Sequence, residues 1–310
     1  MYVYRKNLIS FSINASKFIL CFLILISLIS SCEKKDDSRE VDLLLALTAV
    51  QPPDQASSYD RDVQIITRTT QGFPINCDVD YTDDDLDYYV EMLKTEIARY
   101  PRGYWIKAGA ESVTLCRNLK VLGSDVAGTT GFTGSILLNV MDRIASYDSI
   151  IFDYATGTWI NYLDTDYGYT SDPRGTIHHE LTHAVDHHVP GFIAFFDPEW
   201  GNLNYPGFQY GNSYDPKNPP AEIVKNMNPV PGFVSYYATE RNIEDRAEIG
   251  RVIMARPSTY NRLVQVCRND PIVAAKVRKT VSEWKQFWPF PGAENTEWKI
   301  RMTQAERDCN

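Results

Sequence analysis

The sequence predicts an α+β fold: a small mixed sheet, an edge strand beside a helix that carries an HExxH motif, and a mainly helical C-terminal part. Three observations predict it. Short apolar and β-branched runs between residues 105 and 154 read as strands, and all of them precede the motif. All five histidines lie between positions 178 and 188, in a segment with helical spacing. From residue 234 to residue 287 apolar side chains recur at helical intervals.

The chain opens with Arg5, Lys6 and Lys17 ahead of an apolar run, Phe18–Ile29. That run is shorter than the roughly 20 residues of a membrane span and fits a secretory signal. It ends in Leu28-Ile29-Ser30-Ser31-Cys32, which resembles a bacterial lipobox. The resemblance implies cleavage before Cys32 and acylation of that cysteine; the other reading is an ordinary signal peptide with a chance cysteine. Residues 33–40 (EKKDDSRE) are charged and without an apolar period, so they read as a solvated tether. Charges directly after a lipidated cysteine also resemble signals that send some Gram-negative lipoproteins to the outer face of the outer membrane. Residues 1–31 are thus a signal peptide, 32–78 a tether and N-terminal extension, and 79–310 one domain. Within that domain, 79–190 is the α/β part, 191–232 a long loop and 233–310 helical.

Loss of residues 1–31 removes three basic residues and no acid, so the net charge goes from −9 to −12. An acidic protein of this kind has no electrostatic attraction for nucleic acid. Beyond Cys21 and Cys32 the cysteines are Cys77, Cys116, Cys267 and Cys309. In an oxidising compartment they form two disulfides with three possible connectivities, of which Cys77–Cys116 with Cys267–Cys309 is the most local. Buried reduced thiols are the competing reading. No Cys-x-x-Cys pair exists, so the cysteines do not read as metal ligands.

Residues 41–50 read as a short helix, the stretch after them as linker, and Val63–Thr67 as a weak strand. From Thr82 the run TDDDLDYYVEMLKTEIARY predicts an amphipathic helix. Acids fill its first turn, Leu86, Tyr89, Leu93 and Ile97 form its apolar face, and Pro101 ends it. Trp105–Leu122 reads as one or two strands (WIKAG at 105–109, SVTLC at 112–116), 128–134 as a glycine- and threonine-rich loop, Ser135–Val140 as a short strand, and Tyr147–Tyr154 as a candidate for another. The motif helix is predicted from Thr176 to His188, stopped by Pro190-Gly191. Residues 192–232 have no period and many aromatics; Trp200, Tyr205, Phe208 and Tyr210 there contact substrate, glycan included, or plug the structure. Helices follow at Val234–Met254, Ser258–Arg268 and Ile272–Phe287.

The motif is His179-Glu180-Leu181-Thr182-His183. On a helix the two histidines lie one turn apart on one face, so both imidazoles reach one zinc ion. Glu180 then sits beside the metal, placed to take a proton from a water. A catalytic zinc needs a third protein ligand. The metzincin pattern would place a histidine where Val189 stands and a glycine where Asp186 stands, so that pattern is rejected. His187 is roughly 12 Å along a straight helix from His179, too far to share the ion. His178, His187 and His188 read as surface or supporting residues. The run HELTHAV matches thermolysin-type zincins, but their Asn-Glu-x-x-Ser-Asp segment is missing. Glu199 stands between a proline and a glycine, a poor place for a rigid ligand. Glu240, Glu244 and Glu248 are spaced four apart, a like-charge stripe that is unfavourable on a helix unless a cation faces it. The competing reading is a solvated face, eased by Arg241 and Arg251.

The arrangement Tyr237-x(6)-Glu244-x-x-Ala247-Glu248, following HExxH with its Ala184-Val185-Asp186 tail, resembles the catalytic domain of anthrax lethal factor and its gluzincin relatives. With the lipobox it is also similar to the zinc metallopeptidase lipoproteins, of the substrate import-associated zinc metallohydrolase type, found near TonB-dependent nutrient-import systems. The resemblance covers about residues 80–290 and rests on two short motifs. It implies a zincin-like fold and one zinc held by His179, His183 and Glu244. It implies Glu180 as general base, Tyr237 as a hydrogen-bond donor to the developing oxyanion, and Glu248 as a support for the site. Asp186 or Glu248 would orient a ligand imidazole through its second nitrogen. The implied substrate is a peptide or protein, held in extended form along the edge strand, for which Ser135–Val140 is the candidate; a buried core strand is the other reading of that segment. The implied location is the outer membrane, on its periplasmic or cell-surface face, through a lipid anchor. The alternatives are a non-catalytic lipoprotein that binds zinc or a nutrient, and a zinc hydrolase of a non-peptide amide or ester.

Overall fold

Strand β3 (Ser112–Val121) organises the sheet. Its N-terminal half lies between β1 (Gln64–Ile66) and β6 (Ile136–Asn139), parallel to both. Strand β5 (Gly128–Thr130) then pairs antiparallel with β6 and forms the sheet's end, giving the order β1-β3-β6-β5. The C-terminal half of β3 pairs antiparallel with β2 (Ile75–Asp78) and β4 (Ser124–Asp125). A separate antiparallel pair joins β7 (Ile150–Asp153) to β8 (Thr158–Asn161). The computed structural model describes residues 54–131, 134–140, 150–153, 158–161, 173–188, 197–211, 231–235 and 237–310. The expected signal, lipidation site, tether and first short helix lie outside these, as does the stop at Pro190-Gly191. Gln55–Asn310 forms one compact unit. No helix among the described residues is long and apolar enough to cross a membrane.

The predicted mixed sheet is present, but two of its parts differ from expectation. Ser135–Val140 does not supply the edge. The glycine- and threonine-rich stretch expected to be a loop forms β5 at residues 128–130 and covers β6, leaving β6 internal. Residues 105–109 are not a strand either. Gly103 takes a left-handed φ of 87°, and the chain turns there into the helical turn α2 (Tyr104–Lys107). A Cβ at Gly103 would lie 2.7 Å from the Tyr59 carbonyl oxygen, so a side chain is excluded by space as well as by φ.

Helix α1 (Asp83–Ala98) forms as its sequence dictates. Thr82 accepts a hydrogen bond from the Asp85 amide, three acids occupy the first turn, and Leu86, Tyr89, Met92 and Leu93 are buried. The motif helix α3 runs Pro173–Asp186, three residues earlier than predicted, with proline at its first position. Short helix α4 (Pro198–Asn202) interrupts the expected loop. Trp200 in it is fully buried and donates to Asp245, while Tyr210 packs edge-on against Phe208 and also donates to Asp245. These two aromatics are a structural plug.

Four helices complete the fold: α5 (Asn242–Met254), α6 (Pro257–Asn269), α7 (Pro271–Phe287) and α8 (Glu297–Asp308). Helix α5 starts eight residues later than predicted. A 3₁₀ turn at Tyr237–Thr239 comes first, and Arg241 is extended (φ −151°, ψ 155°). Helix α8 lies within the part expected to be helical, though no separate element is predicted there. Its signals are Thr296 as a capping side chain and Trp298, Met302 and Ala305 buried at helical spacing.

The core is shared by the sheet and the helices. Val113 and Leu115 of β3, Ile136 and Leu138 of β6, Ile177 and Leu181 of α3, and Ile249 and Ile253 of α5 belong to one apolar cluster. Arg99 ties the helices at one end, bonding to Glu96 of α1, Glu297 of α8 and the last carbonyl of α5 at Met254. His178 sits in this network. It is buried, 2.8 Å from Arg99 and 2.9 Å from the Tyr100 hydroxyl, and so is not a surface residue.

Disulfides join Cys77 to Cys116 and Cys267 to Cys309. The second fastens α8, through the residue after its last turn, to α6. It spans 42 residues, for which chain entropy alone gives about 4 kcal/mol. The Cys267→Ser/Cys309→Ser double variant is expected to melt roughly 5–15 °C lower by calorimetry. An unchanged melting temperature would show that α8 is held by packing alone.

Candidate metal centre

Two helices bring the site together. On α3, His179 and His183 are four residues apart and meet edge-to-face, with ring centroids 4.7 Å apart. On α5, Glu244 occupies the first turn and presents its carboxylate to both rings. His179 Nε2 lies 3.1 Å from His183 Nε2 and 3.1 Å from Glu244 Oε2, and His183 Nε2 lies 3.3 Å from the same oxygen. A tetrahedral zinc with ligand bonds of about 2.0–2.1 Å separates its ligand atoms by about 3.3–3.4 Å. The triangle formed by these three side chains fits that geometry to within a few tenths of an ångström.

The donor chemistry fits as well. Arg251 holds both oxygens of Glu248 at 2.8 and 2.9 Å, and Glu248 Oε1 lies 2.9 Å from His179 Nδ1. A carboxylate can only accept there, so Nδ1 carries a proton and Nε2 is left to face the other ligands. In neutral His179 that nitrogen points a lone pair at a carboxylate oxygen, a repulsive arrangement that one cation relieves. Without an ion, a proton does the same job. Burial disfavours charge on His179, but the Glu244 and Glu248 carboxylates outweigh it and push its pKa up to about 10. Burial likewise disfavours the Glu244 carboxylate, yet the two imidazoles hold it well below the usual range. Against its own burial, Glu248 is held at about 2 by Arg251 and His179.

Glu180 is buried next to this group. Its Oε2 lies 2.7 Å from Thr130 Oγ1 of β5, and Thr130 also reaches the Glu180 carbonyl oxygen at 2.9 Å. Tyr237, in the 3₁₀ turn before α5, has its ring 5.7 Å from that of His179. Burial, together with the carboxylates of Glu244, Glu180 and Glu248, raises its pKa far above that of a free tyrosine, so it keeps its proton.

The sequence-predicted residues separate cleanly. His179, Glu180, His183, Tyr237, Glu244 and Glu248 converge. Asp186 does not join them: both its oxygens are taken by the buried guanidinium of Arg246, at 2.9 and 3.2 Å, and Arg246 also binds Asp197 and Glu283. Of the two candidates for orienting an imidazole, Glu248 is the one in contact. Glu240 precedes α5 and leaves the expected stripe with two members. Glu199 is exposed and paired with Lys279. His188 bonds to the Ala184 carbonyl oxygen one turn back. Sequence reasoning missed Thr130 and Gly128, which carry no signal of their own, and took Arg251 only as a compensating charge.

No protein-family model and no curated protein matches the chain. Among solved structures, it is similar to a crystal structure described as a putative zinc-binding metallo-peptidase from Bacteroides caccae. The two share 13% identity, with a TM-score of 0.45 over 90% of this chain and 96% of that one. The α+β architecture with its small mixed sheet, and a His-His-Glu group able to hold a metal ion, are properties of this chain's own structure.

Proposed function

We propose that the protein is a zinc-dependent endopeptidase of gluzincin type, with a zincin-like fold and one zinc per chain held by His179, His183 and Glu244. The observation that carries this reading is the triangle of ligand atoms, 3.1–3.3 Å on each side, with a buried glutamate in the next residue after one ligand. When bound, the ion would lower the pKa of a water to about 7 and polarise a carbonyl. The chain's own residues do the rest. Glu180 takes the proton of the attacking water and returns it to the leaving amine. Tyr237, protonated at neutral pH, donates a hydrogen bond to the oxygen on which charge develops. Glu248, clamped by Arg251, keeps His179 in the tautomer that leaves Nε2 free.

The free edge of β5 supports an extended peptide as substrate. Ala127 O accepts from Asn139 N at 2.9 Å, and Gly131 N donates to Ser135 O at 2.8 Å, so the odd-numbered residues face β6. The main-chain groups of Gly128 and Thr130 therefore point to the other side, where no strand pairs among the described residues. From the lipobox at Cys32 we further propose a lipid-anchored location at the outer membrane and a role beside a TonB-dependent importer. A non-catalytic zinc or nutrient binder would need the histidines but neither Glu180 nor Tyr237. Elemental analysis of the purified chain from Cys32 onward, with a peptide-library digest read by mass spectrometry, separates the two. About one zinc per chain and defined cleavage sites are expected. Stoichiometric zinc without cleavage would replace the peptidase by the binder.

A further inference from the structure

Two residues on the same face of β5 grip the side chain of Glu180. Thr130 Oγ1 lies 2.7 Å from Oε2. Gly128, two residues earlier, passes so close that a Cβ there would stand 2.8 Å from Glu180 Cγ and 2.9 Å from Oε1. Successive odd or even positions of a strand share a face, so the hydroxyl and the bare glycine act on one carboxylate together. Glycine permits the close approach, and the threonine hydroxyl, shared between Oε2 at 2.7 Å and the Glu180 carbonyl oxygen at 2.9 Å, ties the side chain to the strand. Oε2 accepts one hydrogen bond from Thr130, and the carboxylate keeps further lone pairs with which to take a proton.

We propose that Thr130 is a positioning residue for Glu180, holding its carboxylate in the orientation from which the water is deprotonated. The inference rests on the peptidase reading above for its chemistry, though not for its geometry. Thr130 and Gly128 are also the residues whose main chain faces the free edge. A peptide docking there would press on the strand that holds the base, so substrate binding and base placement share one element. The side chain of Thr130 takes no part in main-chain pairing, and its loss is therefore felt in turnover more than in binding.

The test compares Thr130→Val, which keeps the β-branched shape, with Thr130→Ser, which keeps the hydroxyl. A hydrogen bond to a charged group predicts that Thr130→Val lowers kcat about 10- to 100-fold, with KM within about 3-fold of wild type and zinc content unchanged. Thr130→Ser is expected to recover most of kcat. A crystal structure of Thr130→Val supplies a readout that needs no turnover: the Glu180 carboxylate is expected to leave its place beside β5. Gly128→Ala displaces the same carboxylate from the other side, and serves if Thr130→Val does not fold. A Glu180 side chain unmoved in these structures, a wild-type kcat in Thr130→Val, or a serine variant no better than valine would each overturn the inference. If the wild-type protein cleaves no peptide, the peptidase reading falls, and the crystal structure alone decides whether Thr130 holds Glu180.

Discussion

Replacing Glu180 by Gln is expected to lower peptide turnover by about 10²–10⁴-fold while zinc content stays at one per chain. The substitution is close to a pure chemical test. Glutamine has the same shape, and its amide oxygen can still accept from Thr130 at the 2.7 Å position that Oε2 occupies. What it lacks is a basic oxygen. None of the three candidate ligand atoms belongs to residue 180, so metal binding is not directly touched. Turnover on a peptide identified by library digest, measured beside zinc content for both proteins, gives the result. Full activity in the glutamine variant would refute the assignment of Glu180 as base. Loss of zinc together with activity would move Glu180 from the chemistry to the upkeep of the site.

Glu244→Ala is expected to weaken zinc binding by more than about 100-fold, since losing a direct ligand costs at least as much as losing a residue that only orients one. The two imidazoles remain, but two ligands on one helix do not close a tetrahedron. Binding to the folded state alone stabilises it, so a chelator should lower the melting temperature of the wild-type protein and leave that of the alanine variant almost unchanged. Zinc titration by calorimetry and melting with and without chelator give two independent measures. Unaltered, stoichiometric zinc in Glu244→Ala would mean that another carboxylate closes the site, with Glu248, already in contact with His179, next to be examined.

Much of the site was legible because its residues follow local periodicities. HExxH places its two imidazoles by helical spacing alone, and Glu244 and Glu248 lie one turn apart on α5 for the same reason. The strands were legible where apolar residues run together, as in β3 and β6. The sequence misled where neighbours in space, not in the chain, decide the outcome. Gly128-Thr129-Thr130 has the composition of a loop, yet pairing with β6 makes it a strand, and the absence of a side chain at 128 lets it lie against Glu180. Trp105 to Gly109 has strand composition but turns helical after Gly103. Glu240 continues the spacing of the acidic stripe, but the extended backbone at Arg241 cuts it off from the helix. Asp186 sits in the right place along α3 to serve an imidazole, and only the fold reveals Arg246 as its partner.

The spacing of the candidate ligands depends on how closely α3 and α5 approach, and that approach is set at Gly250. A Cβ at this position would fall 2.1 Å from Thr182 Oγ1, well inside the distance at which atoms repel. The two rods are thus in hard contact on one side of the cluster, at a residue that ligates nothing. Such a stop sets the gap between imidazoles and carboxylate through core packing, so the free energy of ordering the candidate ligands would be spent in making the core and not in capturing an ion. A single methyl group at position 250 would act as a shim, widening the gap and shifting the preference from a small tetrahedral ion toward a larger, more loosely coordinated one.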